Sequence, residues 1–317
     1  MIDNIFNINS LSDFDKALKR TFDYQYQNIS IYQQYVDLIK QDEIPFLPIS
    51  FFKTHQIIDD KQKPEITFSS SGTTGTSQSF HHVADLNVYQ QSFMTSFEQF
   101  YGSPENYCIL ALLPSYLERE GSSLILMADE LISKSLNQSS GFYLNEYQQL
   151  SQILRTNQSN KIPTILLGVS YALLDLAEQF PQDLSSVIIM ETGGMKGNRP
   201  EILKSQLHQE LCNAFRVNTI HSEYGMTELL SQAYSKGDGL FFTPPWMKIQ
   251  IRDIYDPFRE VETGKTGGIN IIDLANYYSC SFIQTDDLGK INPDGSFEIL
   301  GRLNASDIRG CNLLIQE

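Results

Sequence analysis

Residues 164–190 read TILLGVSYALLDLAEQFPQDLSSVIIM. An apolar run at 164–167 is followed by helical spacing over 171–180, a Pro-Gln-Asp break, and a second apolar run at 187–190. Two short runs too apolar to have a solvent face, joined through a helix, are the signature of a βαβ unit with parallel strands buried on both sides. The same rhythm extends both ways. Upstream, 107–113 is an unbroken apolar strand and 122–135 reads as a helix. Downstream, 200–215 reads as a helix with Pro200 near its first turn, and 217–220 as a further strand. In such sheets ligands bind beyond the carboxyl ends of the strands. Gly168, Gly193, Gly194 and the segment 223–228 fall there.

Outside this body the spacing changes. Residues 10–43 are helical by three- and four-residue apolar steps, until Pro45 and Pro48 break the pattern. Short strands are expected at 65–68 and 79–83, around a Ser/Thr/Gly loop at 69–77. A helix with Asp85 as its cap follows. Beyond about 236 helical spacing ends: Met247, Ile249 and Ile251 alternate with polar residues, and short strands are expected at 268–272, 281–284 and 296–300. The expected architecture is therefore α/β, with largely parallel sheets and helices over 1–235, and a small β-rich subdomain with a C-terminal tail over 236–317.

The 317 residues carry 23 Lys+Arg against 38 Asp+Glu, a net charge of −15. Nucleic acids and anionic membrane surfaces need clustered cations, so the balance argues against both as partners. No apolar run approaches a bilayer span, and the N-terminus lacks the basic-then-apolar pattern of a signal peptide. Cys108, Cys212, Cys280 and Cys311 form neither a metal-ligand spacing nor a disulfide framework. The first three read as packing residues. A reduced, cytoplasmic protein is expected.

Three segments carry chemistry. The loop Ser69, Ser70, Ser71, Gly72, Thr73, Thr74, Gly75, Thr76, Ser77 offers backbone N–H groups and hydroxyls that suit a phosphate. It lacks the Walker pattern, and alone it reads equally as a polar hairpin turn. The segment 223–228, EYGMTE, sets two carboxylates beside an aromatic ring and a glycine, suited to a magnesium ion and a base, although taken alone it reads first as a strand-to-helix cap with solvated acids. Asp286 and Asp287, with Gly301 and Arg302 one hairpin later, suit a ribose and a phosphate, or equally Asp-Gly turns and a surface Arg. Among the histidines, His221 is the better pocket candidate, His81 and His82 read as structural, and His55 and His208 as surface residues.

In this order the segments resemble the successive core motifs of the adenylate-forming superfamily of acyl-CoA synthetases, adenylation domains and luciferases. The match is closer to its phenylacetate-CoA ligase-like branch and the LuxE-type acyl-protein synthetases. IPFLP at 44–48, FFK at 51–53, GGMKG at 193–197 and SDIRGCNLL at 306–314 add to it, so that it spans roughly 44–314. It implies the large-domain fold of that superfamily without its mobile C-terminal domain.

The resemblance further implies that Ser70, Ser71, Gly72, Thr73, Thr74, Gly75 and Thr76 hold the β- and γ-phosphates of ATP. Gly193 and Gly194 would line the adenine and acyl pocket, with Tyr224 and Gly225 beside the adenylate. Glu228 would ligate Mg2+, Asp287 the ribose hydroxyls, and Arg302 the ribose–phosphate end. Gln78 stands where many members carry a lysine; Lys196 reads either as a compensating catalytic cation or as a solvated lysine. Cys311 reads either as the thiol that accepts the acyl group or as a small buried residue. The implied activity is ATP-dependent activation of a carboxylic acid, expected to be a fatty acid, and transfer to a protein thiol, with an acceptor or reductase protein as partner. The alternatives are a ligase delivering to CoA or a carrier protein, and a non-catalytic nucleotide- or acyl-binding module.

Overall fold

The computed structural model describes residues 5–41, 43–70, 78–114, 121–193, 199–200 and 202–303. The chain divides into two compact units: residues 1–66, 81–85 and 242–317 form one, and 67–80 with 86–241 the other.

The first unit opens with α1 (Leu11–Asn28) and α2 (Ser30–Ile39). Ser10 caps α1, its Oγ accepting from Asp13 N at 3.2 Å. The helical spacing of 10–43 is split at Ile29, which is extended (φ −121°) and fully buried. Tyr32 of α2 is buried and donates to Pro45 O at 2.8 Å, ahead of the two-residue strand β1 (Leu47–Pro48). The hairpin β2 (Ile66–Ser69) and β3 (Phe80–Val83), whose residues divide between the two units, brackets the Ser/Thr/Gly loop as expected.

In the second unit α3 (Leu86–Tyr101) leads into β4 (Cys108–Leu112), all five residues of which are buried. Then come α4 (Ser123–Lys134), β5 (Gly141–Tyr143), α5 (Tyr147–Ser159), β6 (Thr164–Val169), α6 (Ser170–Gln179), β7 (Val187–Thr192), α7 (Lys204–Phe215), β8 (His221–Tyr224), β9 (Ala233–Ser235) and β10 (Phe241–Phe242). Strands β5, β4, β6, β7 and β8 pair in parallel in that order, and β9 joins β8 antiparallel. The βαβ expectation holds in residues 164–190: β6 pairs with β7 from Thr164↔Val187 to Val169↔Thr192. Each fully buried Leu or Ile in these strands contributes about 1.5–3 kcal/mol relative to exposure.

Two boundaries move. α7 begins at Lys204, so Pro200 lies ahead of its first turn. Arg199, forked onto Asp175 and Glu178 of α6, holds the lead-in to α7 outside the helix. The strand expected at 217–220 lies instead at His221–Tyr224: Asn218 and Thr219 are exposed, and the residues that pair with β7 are polar ones. β5 and α5 had no counterpart in the sequence reading.

The chain returns to the first unit as β11 (Met247–Arg252), β12 (Gly267–Asp273), β13 (Phe282–Ile291) and β14 (Phe297–Arg302), an antiparallel meander with β1 alongside β13. Residues 285–289 run within β13 as strand, with a register shift at Leu288–Gly289, rather than forming a turn. Gln25 of α1 is fully buried. Its amide donates to Asn276 O (2.9 Å), Tyr277 O (3.0 Å) and Ser281 Oγ (3.0 Å) and accepts from Ser281 N (3.1 Å), clamping the helix to the turn before β13.

Candidate functional site

The carboxyl ends of β6, β7 and β8 meet in the second unit, at the edge where parallel sheets hold ligands. Ser170, the first residue after β6, places Oγ 3.0 Å from Gly193 O and 3.3 Å from Glu191 Oε2. Gly193 itself has φ +68°, a left-handed conformation that favours glycine. Thr192 at the end of β7 donates to Glu223 Oε2 on β8 at 2.5 Å. Both carboxylates, Glu191 and Glu223, are buried.

Their environments push them apart. Burial would raise the Glu191 pKa, but Lys204 Nζ at 2.7 Å and His208 Nε2 at 3.6 Å from its Oε1 reverse the shift, and it falls to about 2. Among the described residues no cation forms an ion pair with Glu223. Burial, reinforced by the charge of Glu191 and only partly opposed by Thr192 and Lys204, lifts it to about 7. One acid is thus held ionised and the other poised near neutrality, the arrangement that separates acid and base roles in enzyme sites. Lys204 also lies over the Phe241 ring at 4.6 Å.

A Cβ at Gly225 would lie 2.5 Å from Glu223 Oε1, so a side chain there would displace that carboxylate. Tyr224 is mostly buried and meets Phe241 edge-on at 6.0 Å. Glu228 follows in a turn, also buried. Of the two carboxylates in 223–228, Glu223 turns inward to Thr192, which leaves Glu228 as the metal-ligand candidate. Among the described residues no cluster of three or more His, Cys, Asp or Glu could hold a metal. Magnesium needs no such cage: it is commonly bound through one or two carboxylates, with water and substrate phosphates completing the shell, so Glu228 fits that role.

In the first unit Asp287 and Arg302 stand opposite each other in the β13–β14 register, with Nε 3.3 Å from Oδ1. Asp287 is buried and its N–H donates to Thr285 Oγ1 at 3.1 Å, while Arg302 is exposed. The two residues are therefore adjacent. Ser70 lies at the loop entrance, accepting from Ser79 N at 2.9 Å. Ser71, Gly72, Thr73, Thr74, Gly75, Thr76, Gly194, Lys196 and Cys311 lie outside the described residues.

The histidine readings change. His208 faces Glu191 and is not a surface residue. His221 lies at the start of β8, level with Met190 and away from the ligand edge. It sits 3.2 Å from Tyr101 Oη and is held to a pKa of about 4 by burial and Lys236. Cys108 and Cys280 are buried as expected, whereas Cys212 is only half-buried on α7. Glu191, Thr192, Lys204 and His208 were not singled out in the sequence. The one available signal was Glu191 closing an otherwise apolar strand.

No family model and no curated protein matches the chain. Solved structures match over most of it. ATP-bound MatB from Rhodopseudomonas palustris is 18% identical with a TM-score of 0.55, covering 74% of this chain and 47% of its own. A long-chain-fatty-acid-CoA ligase from Archaeoglobus fulgidus is 15% identical with a TM-score of 0.53, covering 75% and 51%. A 2-hydroxyisobutyryl-CoA ligase, in the postadenylation state with an acyl-AMP, is 13% identical with a TM-score of 0.65, covering 92% and 67%. The chain spans about half the length of the first two. It has the fold of the adenylate-forming ligases.

Proposed function

We propose that the protein activates a carboxylic acid with ATP as an acyl-adenylate and passes the acyl group to a thiol. The observation that carries this reading is the convergence of Gly193, Tyr224, Gly225 and buried Glu228 at the ends of parallel strands, in a fold shared with ATP-using ligases. The substrate carboxylate would attack the α-phosphorus, with pyrophosphate as leaving group. The protein's part is positioning and charge stabilisation. Ser70 and the loop after it would hold the β- and γ-phosphates, Asp287 the ribose hydroxyls, and Arg302 the adjoining phosphate. Glu228 would hold Mg2+, which when bound neutralises phosphate charge. Lys196 would add a cation for the departing pyrophosphate.

For the second half-reaction we propose Cys311 as the acceptor thiol, by the resemblance to acyl-protein synthetases, with a fatty acid as the acid. Transfer to CoA is the second reading, favoured by the fold neighbours that are CoA ligases.

Carboxylate-dependent ATP–pyrophosphate exchange tests the first step across short, long and aromatic acids. Exchange with one class of acid, lowered at least a hundredfold in Glu228→Ala by loss of charge stabilisation of this kind, is expected. ATP binding without exchange for any acid would overturn adenylation. Retention of full transfer to CoA by Cys311→Ser would favour the second reading.

A further inference from the structure

One face of the β11–β12–β13 meander carries a row of polar side chains over a cavity of about 370 Å³ in the first unit. Register places Gln250 opposite Asn270, and Asn270 opposite Gln284, so three amides cross three strands. Beside them lies Arg252, 5% exposed. Its Nη1 donates to Ile269 O (2.8 Å) and Asn270 Oδ1 (3.0 Å), and its Nη2 to Thr285 O (2.7 Å). All three acceptors are neutral. Among the described residues no carboxylate lies within ion-pair distance of this guanidinium, and two of its five N–H groups have no acceptor. The fold makes room for it, since a Cβ on the facing Gly268 would collide with the guanidinium. Burial draws the Arg252 pKa down to about 10 against the more distant charges of Asp286 and Asp287, as for a cation short of a counter-charge. Burying an unpaired cation is costly, so such a group is expected to serve an anion.

The rest of the lining defines that anion. Gln250 and Gln284 make no side-chain hydrogen bond among the described residues and remain as donors. Phe46, Phe258 and Phe282 supply apolar wall. Of the other ionisable side chains in the lining, Arg259 is exposed and paired with Asp253, and Glu43 and Glu260 are exposed. Arg252, the buried guanidinium among neutral amides, matches one negative charge in a planar, bidentate group; a doubly charged phosphate would stay under-neutralised. We propose that this cavity binds a small organic carboxylate with an apolar body, its carboxylate on Arg252 and the amide row, as a site separate from the residues assigned to ATP.

Calorimetric titration of the full chain without nucleotide tests this, using hexanoate, hexanol and inorganic phosphate as probes. Saturable binding of hexanoate, with neither hexanol nor phosphate matching it, is expected. Gln250→Trp fills the cavity without removing a hydrogen bond of Arg252, and should weaken hexanoate at least tenfold while ATP binding and the melting temperature hold. Gln284→Leu, which deletes one donor without adding bulk, should weaken it in the same sense. The site is disproved by hexanoate binding that both variants leave unchanged, since that locates the acid elsewhere. It is equally disproved by hexanol or phosphate binding as well as hexanoate, or by no saturable heat up to about 10 mM. None of these outcomes bears on pyrophosphate exchange, so this site and adenylation stand or fall separately.

Discussion

Glu191 and Glu223 make a pH prediction that follows from their neighbours. The native pKa of Glu223 is raised to about 7, so between its ordinary value and 7 the folded state keeps a proton that the unfolded chain has released. Stability from this group is full below about pH 4.5 and is lost as pH rises toward 7. Glu191, depressed to about 2, does the opposite: its contribution is present above about pH 4.5 and lost as pH falls toward 2. Urea unfolding of the wild type should therefore show stability lower at pH 7 than at pH 5 by about 2 kcal/mol. Glu223→Gln, which keeps an acceptor for Thr192 but cannot ionise, should flatten that limb. An unchanged limb in the variant would assign it to another group. At this scale the sequence was partly informative. Tyr224, Gly225 and Glu228 stood out because they lie close together in a recognisable segment. Lys204 and His208 did not, because they lie on α7, well after Glu191 in sequence, with no spacing that links them to it.

Gln25 shows what single elements owe to distant partners. Replacing it by Leu would remove the partner of the part-buried Tyr277 carbonyl, the Ser281 hydroxyl and the Ser281 N–H, and one of the two donors to the Asn276 carbonyl, which keeps Ser279 N. The expected loss is about 3 kcal/mol, read as a lower urea midpoint with an unchanged slope. A loss below about 0.5 kcal/mol would mean that water or a rearranged turn replaces the clamp. Among the elements, β4, β6 and β7 were legible because continuous apolar runs have few alternatives. β8 was displaced by four residues because its sequence, HSEY, is polar where the site demands it. α5 escaped notice because only Leu150 and Leu154, with Ser151 and Asn157, form its buried stripe. β5 is three residues long.

For the whole molecule, the discontinuous unit predicts how fragments behave. Residues 242–317 carry the meander but lack β1 alongside β13 and the Gln25 clamp. Expressed alone, this segment should show no cooperative thermal transition by circular dichroism. Residues 67–241, whose parallel sheet is complete in itself, should melt cooperatively. A cooperative melt of 242–317 by itself would show that the N-terminal helices are dispensable to the meander.

The Gln25–Ser281 hydrogen bond, 256 residues apart in sequence, also sets a timetable for synthesis. At about 5–20 residues per second, α1 leaves the ribosome roughly 10–50 s before the turn it must grip has been made. The parallel sheet is translated in that interval and can fold meanwhile. Until residues 276–281 have been made, Gln25 of α1 lacks the groups it grips, so the clamp closes late relative to the sheet.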